Sequence, residues 1–554
     1  MATVIGAGLR GRIAMTAATL LVAMTASGAG VAAPIAAQHG TDATIQAGMA
    51  PHDAAVQSQI ARIDAAIGKG RFKADWNSLG QYRVPEWYRD AKFGIFIHWG
   101  VYSVPASGSE WYSRNMYVAG SPDFAHHIAT YGNPSRFGYK DFIPAFTGSH
   151  FDPVDWVALF RHAGARYVVP VAEHCDGFAM YDSAITRWNA VRMGPHRDVV
   201  GELARATRGA GLHFGLSSHR AEHWWWNGQA PRDSDVFDPA YADLYGPAAA
   251  RHLPGMDTGK EPDPDHLEQW LAPDRPFLDD WLARTGEAIE KYRPDFVYLD
   301  WWVNQPAFTP YLKRLAAYYY NTSSVVAPVL AYKGEAFAPG TALYDIERGR
   351  LDALRQTPWQ TDTSVSIASW GYVANDRYRT ADSLIATLVD AVSKNGNLLL
   401  NVGPRADGTI PDEARTVLTG IGDWLSINGE AIYGTRPWVL FGEGPTRNAT
   451  HSLSEGGDPA YAPADIRFTT HGSTLYAIGL ARPVDDQVLI RSLYAGNPYA
   501  STVASVHLLG SAKPLVWHSR ADGLAVSLSP AAATKALAGR EYALKIDFNP
   551  PASR

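Results

Sequence analysis

The feature of this sequence that most constrains its fold is an alternation of short apolar runs and amphipathic stretches between residues 76 and 438. Eight of the runs are nearly continuous in hydrophobicity, which is typical of strands buried on both faces of a parallel sheet. These predicted strands are Gly94–Trp99, Arg166–Glu173, Leu212–His219, Phe296–Trp301, Val325–Tyr332, Ala342–Glu347, Thr361–Ile367 and Gly396–Val402. Apolar residues with helical spacing lie between them and predict helices over residues 154–163, 277–292, 384–394 and 412–427.

Eight strands with intervening helices over residues 76–438 predict an α/β fold, a (β/α)₈ or TIM barrel with long insertions. The alternative is an open doubly wound sheet, but no glycine-rich phosphate loop follows an early strand. After residue 438, short alternating segments such as Ser473–Ile478 and Tyr542–Phe548 are separated by Gly, Pro and Asn turns. Residues 439–554 are therefore predicted to form a C-terminal β-sandwich domain.

The first 37 residues have the order of a bacterial secretory signal peptide: Arg10 and Arg12, an apolar run over residues 13–26, and then small residues. We therefore expect the protein to be secreted or periplasmic. Residues 38–75 are predicted to be a polar linker with one short helix at about residues 52–67. A single cysteine among 554 residues excludes an intrachain disulfide and a cysteine-based zinc site.

The charge balance limits the classes of partner. Lys and Arg number 49 against 55 Asp and Glu, a net charge of -6, which is too small and too mixed to predict binding to nucleic acid or to an anionic membrane. No segment after the leader reaches the roughly 18 apolar residues of a membrane span. The sequence leaves open whether the chain forms a homo-oligomer.

Ionisable side chains recur at the predicted carboxyl ends of the strands, where functional residues of TIM barrels lie. They are His98, Glu173, His174, His219, Glu222, His223, Asp300, Asp345 and Glu347. Tryptophan is in excess, at 18 of 554 residues, and seven tryptophans also fall at or just beyond strand ends: Trp99, Trp111, Trp224, Trp225, Trp226, Trp301 and Trp302. A polar pocket walled by tryptophan is typical of a sugar site, because the indole stacks on flat apolar faces.

Three chemistries suit such a pocket. Two carboxylates on different strands can hydrolyse a glycosidic bond, with Asp300 attacking the anomeric carbon and a second acid protonating the leaving oxygen. Histidines can bind a metal, but the i, i+4 pair His219 and His223 would need a helix where the chain leaves a strand for a Trp-rich loop. In the third alternative the pocket binds a ligand without catalysing a reaction. Sugar chemistry accounts for the tryptophans and the histidines together.

Several motifs, in order along residues 76–440, closely resemble glycoside hydrolase family 29, the α-L-fucosidases. They are EWYRDAKFGIFIHWG at 86–100, SEWY at 109–112, HCDGF at 174–178, PWQTDT at 358–363, NGNLLLNVGP at 395–404 and NGEAIYGTRPW at 428–438. The resemblance implies a (β/α)₈-like barrel with a C-terminal β-sandwich, and hydrolysis of α-L-fucosides with retention of configuration. It implies no metal and no organic cofactor, and a fucosylated oligosaccharide as substrate.

The resemblance also implies which residues carry the reaction. The family's nucleophile falls on Asp300, and its acid/base best matches Glu347, with Glu335 and Glu110 as competitors. Two other functions stay open at this point. One is a non-catalytic fucose-binding protein, and the other is an α-L-galactosidase, whose sugar has an added hydroxyl at C6.

The sugar contacts implied by the resemblance are His98, Glu110, Trp111 and His174, with His219 or His223 from the third strand. Three positions depart from the family pattern. Cys175 stands where a second histidine is common, Tyr298 where a tryptophan is common, and Lys333 nearest to where many members carry an arginine. Tyr298 and Lys333 are kept as candidate sugar contacts.

Overall fold

Eight parallel strands close into a barrel in the computed structural model, which describes residues 42–256, 267–323, 327–447, 450, 459–528 and 541–549. The strands are β1 (Phe93–Ile97), β2 (Tyr167–Glu173), β3 (His213–Ser218), β4 (Phe296–Leu299), β5 (Val329–Tyr332), β6 (Leu343–Glu347), β7 (Trp359–Ser364) and β8 (Gly396–Val402). β1 closes the barrel on β8, with Phe93 opposite Leu398. Nearly every strand residue is buried, as the continuous apolar runs predicted, and the TIM barrel is confirmed.

Twelve α-helices accompany the strands in the described part of the chain. They are α1 (Asp42–Lys69), α2 (Trp76–Leu79), α3 (Glu86–Ala91), α4 (Tyr112–Asn115), α5 (Pro122–Thr130), α6 (Pro153–His162), α7 (Val199–Gly209), α8 (Ala242–Tyr245), α9 (Arg275–Tyr292), α10 (Thr309–Thr322), α11 (Ala381–Ser393) and α12 (Asp412–Asn428). The four helices predicted after residue 150 are confirmed as α6, α9, α11 and α12. Their starts follow from local chemistry: the Asp152 and Asp274 side chains accept backbone N–H groups at the first turns of α6 and α9.

Helix α1 is longer than the sequence indicated. It runs over 28 residues and packs against α9 and α10, whereas a short helix in a polar linker was expected. Val56 and Ile63 are buried on the side that faces the barrel, and His52 Nε2 bonds Asp280 Oδ1 at 3.0 Å. Because these two buried apolar positions lie two helical turns apart, the apolar periodicity of the helix is weak, and the sequence predicted a helix shorter than α1. None of the described helices combines the length and hydrophobicity needed to cross a lipid bilayer.

The C-terminal region consists of two antiparallel sheets that share one apolar core. Their strands are β9 (Arg436–Glu443), β10 (Ile466–His471), β11 (Thr474–Gly479), β12 (Gln487–Ile490), β13 (Val503–Leu508), β14 (Val516–Arg520), β15 (Gly523–Ser527) and β16 (Tyr542–Phe548). One sheet has the order β13-β16-β11-β10-β9 and the other the order β12-β15-β14. Phe468 and Leu544 of the first sheet pack with Val488 and Val526 of the second. Trp438, placed at the end of the barrel by sequence, packs into this core.

Candidate active site

The carboxyl ends of the barrel strands surround a cavity of about 140 Å³. Side chains from the ends of seven strands, β1 to β7, and from the loops that follow them line it, as is usual for TIM-barrel active sites. The lining residues are Phe96, His98, Glu110, Trp111, His174, Cys175, His219, Glu222, Asp300, Trp301, Lys333, Glu347, Asp362 and Trp370. Eight of the ten residues predicted from sequence are in this set.

Asp300 follows the last residue of β4 and is held as an anion. His219 Nδ1 donates to its Oδ2 at 2.8 Å, and Lys333 Nζ lies 3.9 Å from its Oδ1. Burial alone would raise the pKa of Asp300, but the attraction of His219 and Lys333 and the hydrogen bond from His219 outweigh it, and the pKa lies below its ordinary value. The side chain is still 17% exposed, so the ionised oxygen is open to the cavity.

Lys333 is the cation around which the acidic groups of the site are arranged. Its Nζ lies 2.7 Å from Glu347 Oε2, 3.2 Å from Asp362 Oδ2 and 3.6 Å from Asp345 Oδ1, in addition to Asp300. The ammonium is almost fully buried, and burial opposes its charge, yet the surrounding carboxylates hold its pKa above its ordinary value. One buried charge therefore links the ends of β4, β5, β6 and β7.

Glu347 has the opposite electrostatic setting from Asp300. Burial raises its pKa, Asp362 and Asp300 raise it further, and Lys333 only partly opposes them. Trp301 Nε1 donates to Glu347 Oε2, the oxygen that Lys333 also contacts. The result is a carboxyl group that retains its proton to higher pH than an ordinary glutamate, beside one that loses its proton readily, as general acid catalysis by carboxyl pairs requires.

Two neutral imidazoles form another part of the wall. His98 Nδ1 donates to Asn401 Oδ1 at 2.7 Å, which leaves Nε2 as an acceptor. Burial, reinforced by the neighbouring histidines, lowers the pKa of His98 and of His174 well below the ordinary value. His174 Nδ1 is buried and has no hydrogen-bond partner among the residues that the structure describes. Neutral imidazoles with free nitrogens suit hydroxyl groups, which both donate and accept.

The same histidines offer the arrangement closest to a metal site in the described part of the chain. Ligand nitrogens of His98, His174 and His219 all lie within 4.8 Å of one another. However, both ring nitrogens of His219 are engaged, Nδ1 with Asp300 and Nε2 with Ser217 Oγ at 3.0 Å. A metal ion would have to break one of these bonds and draw the rings together, so the set fits a polar organic ligand better.

Glu110 and Trp111 form the wall next to the loop after β7. Glu110 Oε2 accepts the backbone N–H groups of Trp370 and Gly371 at 2.9 and 3.3 Å, together with Ser369 Oγ. These donors fix the carboxylate as an acceptor that faces the cavity. Trp111 packs against Trp226, with ring centroids 4.7 Å apart, and lines the cavity.

Two of the predicted sugar contacts lie outside the cavity. His223 is buried behind the wall, where its Nδ1 donates to the Cys175 carbonyl at 2.8 Å. In the 3₁₀ turn after β3, His219 and Glu222, three residues apart, line the cavity and His223 does not. Tyr298 is buried within the barrel and its hydroxyl donates to Asp362 Oδ2 at 2.8 Å. Since β4 points Tyr298 into the barrel, it supports Asp362 from below and does not line the cavity.

The tryptophan wall predicted from sequence is also corrected. Of the seven tryptophans near strand ends, only Trp111 and Trp301 line the cavity, joined by Trp370 from the loop after β7. The other five are buried in the core: Trp99, Trp224, Trp225, Trp226 and Trp302. A position at a strand end does not determine whether a large ring points to the cavity or packs behind it.

Comparison with known proteins agrees with this geometry. The family profile described as Alpha-L-fucosidase matches residues 59–430, which include the whole barrel and every residue of the cavity. The chain belongs to the α-L-fucosidase family. It is therefore a glycoside hydrolase, and the profile of the α-L-fucosidase C-terminal domain matches residues 461–547, within the two-sheet region.

Alignments with individual relatives cover most of the chain. The α-L-fucosidase of Branchiostoma floridae is 32% identical over 462 residues, covering 82% of this chain and 90% of the relative. Human tissue α-L-fucosidase is 31% identical, covering 83% of this chain and 88% of the relative. The structure of Thermotoga maritima α-fucosidase in complex with fucose superimposes with a TM-score of 0.67 at 30% identity, covering 86% of this chain and all of the other.

Six cavity residues are absent from the ten site residues predicted from sequence: Phe96, Cys175, Glu222, Trp301, Asp362 and Trp370. Cys175 had been noted as a departure from the family pattern, and Trp301 as one of the tryptophans near strand ends. Phe96 and Asp362 lie inside predicted strands, where alternation across the sheet could have assigned them to the barrel interior. Glu222 had been noted near a strand end without a role. Trp370 lies in the loop after β7, where the strand pattern gives no indication of side-chain direction.

Proposed function

We propose that this enzyme removes terminal α-L-fucose from oligosaccharides or glycoconjugates by a double displacement with retention. The observation that carries the proposal is a pair of carboxyl groups that both contact Lys333. The pKa of one, Asp300, is lowered, and the pKa of the other, Glu347, is raised. A cavity of about 140 Å³ suits one sugar ring and supports action at chain ends. The fucose bound to the Thermotoga maritima relative supports the choice of sugar.

In the first step the ionised Asp300 attacks the anomeric carbon while Glu347 protonates the departing oxygen. A covalent β-fucosyl ester of Asp300 forms and the aglycone leaves. In the second step Glu347, now ionised, takes a proton from water, whose oxygen displaces Asp300 and yields α-L-fucose. The proton that Glu347 gives in the first step is thus recovered in the second.

The separation of the two carboxyl groups supports retention. Because Lys333 Nζ contacts Glu347 Oε2 at 2.7 Å and Asp300 Oδ1 at 3.9 Å, these oxygens are at most about 6.6 Å apart. Retaining glycosidases hold the two groups at about 5–5.5 Å and inverting ones at about 6.5–9.5 Å. The competitors for the acid/base role fit less well, since Glu335 is exposed outside the cavity and Glu110 is fixed as an acceptor by backbone donors.

Hydrolysis of an aryl α-L-fucoside tests this function directly. We expect turnover of the fucoside, α-L-fucose as the first product by proton NMR, and at least tenfold lower kcat/KM on the aryl α-L-galactoside. Binding of fucose without turnover would instead indicate a binding protein. A preference for the galactoside, or β-L-fucose as the first product, would contradict the substrate or the mechanism.

Replacing Lys333 with methionine should move the pH dependence of the reaction. Lys333 lowers the pKa of both Asp300 and Glu347, so its removal should raise both. The acid limb of kcat/KM reports ionisation of the nucleophile and the alkaline limb reports the protonated acid. Both limbs should therefore shift to higher pH, by about one unit or more. Lys333→Arg keeps the charge and should leave both limbs in place; unmoved limbs in K333M would contradict this role.

We also propose that the protein is exported and processed after residue 33 or 37. The basic, apolar and small-residue order of residues 1–37 supports this, and those residues lie outside the part that the structure describes. Amino-terminal sequencing of the protein recovered from the periplasm or medium of the bacterium that makes it tests the proposal. A cytoplasmic protein that begins at Met1 would contradict it.

A further inference from the structure

Glu222 is a carboxyl group in the wall of the sugar cavity to which the double displacement gives no role. It lies in a 3₁₀ turn, Arg220–Trp224, that follows β3. The residue is only 7% exposed, and it lines the cavity together with Cys175 and Asp300. Burying a carboxyl group is costly unless a partner compensates for the lost water, so its position calls for a partner.

The contacts of Glu222 with the protein satisfy only one of its oxygens. Cys175 Sγ lies 3.4 Å from Oε2 and also 3.1 Å from the His219 carbonyl oxygen, so a single thiol proton serves two acceptors. Oε1 makes no hydrogen bond or ion pair with any residue in the described ranges. A carboxyl group that is tethered by one oxygen in a cavity wall is positioned to offer the other to a ligand.

The charges around Glu222 favour its neutral form. Burial raises the pKa of Glu222 to about 8, Asp300 and Glu347 add to the increase, and Arg251 and the Cys175 hydrogen bond oppose it. His219, Lys333 and Asp362 are further titratable groups that line the same cavity. Near neutral pH the group is therefore a carboxylic acid, which can donate a hydrogen bond as well as accept one and adds no negative charge beside the nucleophile.

We propose that Glu222 is a substrate-binding residue whose free carboxyl oxygen hydrogen-bonds a ring hydroxyl of the bound fucose while Cys175 holds the other oxygen. The inference rests on the proposed fucoside hydrolysis. It also accounts for the departure at Cys175, where the family commonly has a second histidine. A small thiol in that place leaves the adjoining carboxyl group facing the cavity.

Calorimetric binding of L-fucose and KM for an aryl fucoside, measured on the same full-length proteins, test the proposal. Glu222→Ala should weaken fucose binding and raise KM by about tenfold, the value of one hydrogen bond made in a buried site. Glu222→Gln keeps the size and a donor, so it should bind within about threefold of the wild type at pH 6. The matched control is Glu335→Gln on the exposed loop, which should change neither quantity.

Two further readouts separate binding from a merely structural role. The wild-type KM should rise above about pH 8 as Glu222 ionises, and the KM of E222Q should not. With a series of deoxyfucosides, the penalty of E222A should vanish for the one sugar that lacks the partner hydroxyl. An equal penalty with every deoxy sugar, or fucose affinity unchanged in E222A while the wild type hydrolyses the fucoside, would overturn the inference. A wild type that neither binds fucose nor cleaves the fucoside would overturn the proposed function itself.

Discussion

Asp300→Asn should abolish nearly all fucoside hydrolysis, lowering kcat/KM by roughly three orders of magnitude or more. The substitution removes the anionic oxygen that forms the bond to the anomeric carbon and preserves the shape of the side chain. The amide oxygen can still accept from His219 Nδ1, so the local hydrogen bond survives. Thermal unfolding followed by circular dichroism should therefore show a melting temperature close to that of the wild type.

A second substitution at Asp300 distinguishes a nucleophile from a merely buried acid. Asp300→Gly opens space beneath the anomeric carbon, and azide added to this variant should attack there directly. Because only one displacement occurs, the product should be the inverted β-L-fucosyl azide. Activity of D300N near the wild-type level, or a failure of azide to form the β product with an activated fucoside, would contradict the assignment.

The barrel could be predicted because strands buried on both faces have nearly continuous apolar sequences. β1 contains no polar side chain, and β8 has a run of three leucines between Asn397 and Asn401, so no amphipathic alternative competes with that pattern. The carboxyl-end rule then placed Asp300 and Glu347 in the cavity without any structure. Helix α1 was underestimated because only a few of its residues, such as Val56 and Ile63, are buried against the barrel.

What could not be predicted depends on contacts between distant parts of the chain. Lys333 was noted only as a substitute for an arginine, whereas its ammonium lies within 4 Å of carboxylates on three neighbouring strand ends. The spacing of these residues in the sequence does not indicate that their side chains meet at Lys333. Likewise, the direction of a side chain at a strand end depends on the turn that follows. His223, the alternative to His219, and most of the tryptophans near strand ends therefore lie outside the cavity.

Glu347→Ala should lower kcat for an aryl fucoside by about 10²- to 10⁴-fold, which is the usual contribution of a general acid/base. The loss should depend on the leaving group. A 2,4-dinitrophenyl fucoside needs no protonation, so the first step should proceed, and the ester of Asp300 should accumulate as a burst because water is no longer activated. Stopped-flow absorbance measures that burst.

Azide identifies the role of Glu347 in the second step. It needs no general base, so it should restore turnover of E347A by tenfold or more, and it should attack the ester from the face that water uses. The product should be α-L-fucosyl azide, of the opposite configuration to the product of D300G. Glu335→Ala is the matched control and should retain wild-type kinetics without an azide effect, because its carboxylate is exposed outside the cavity. Azide rescue of E335A, with none of E347A, would transfer the acid/base role to the loop after β5.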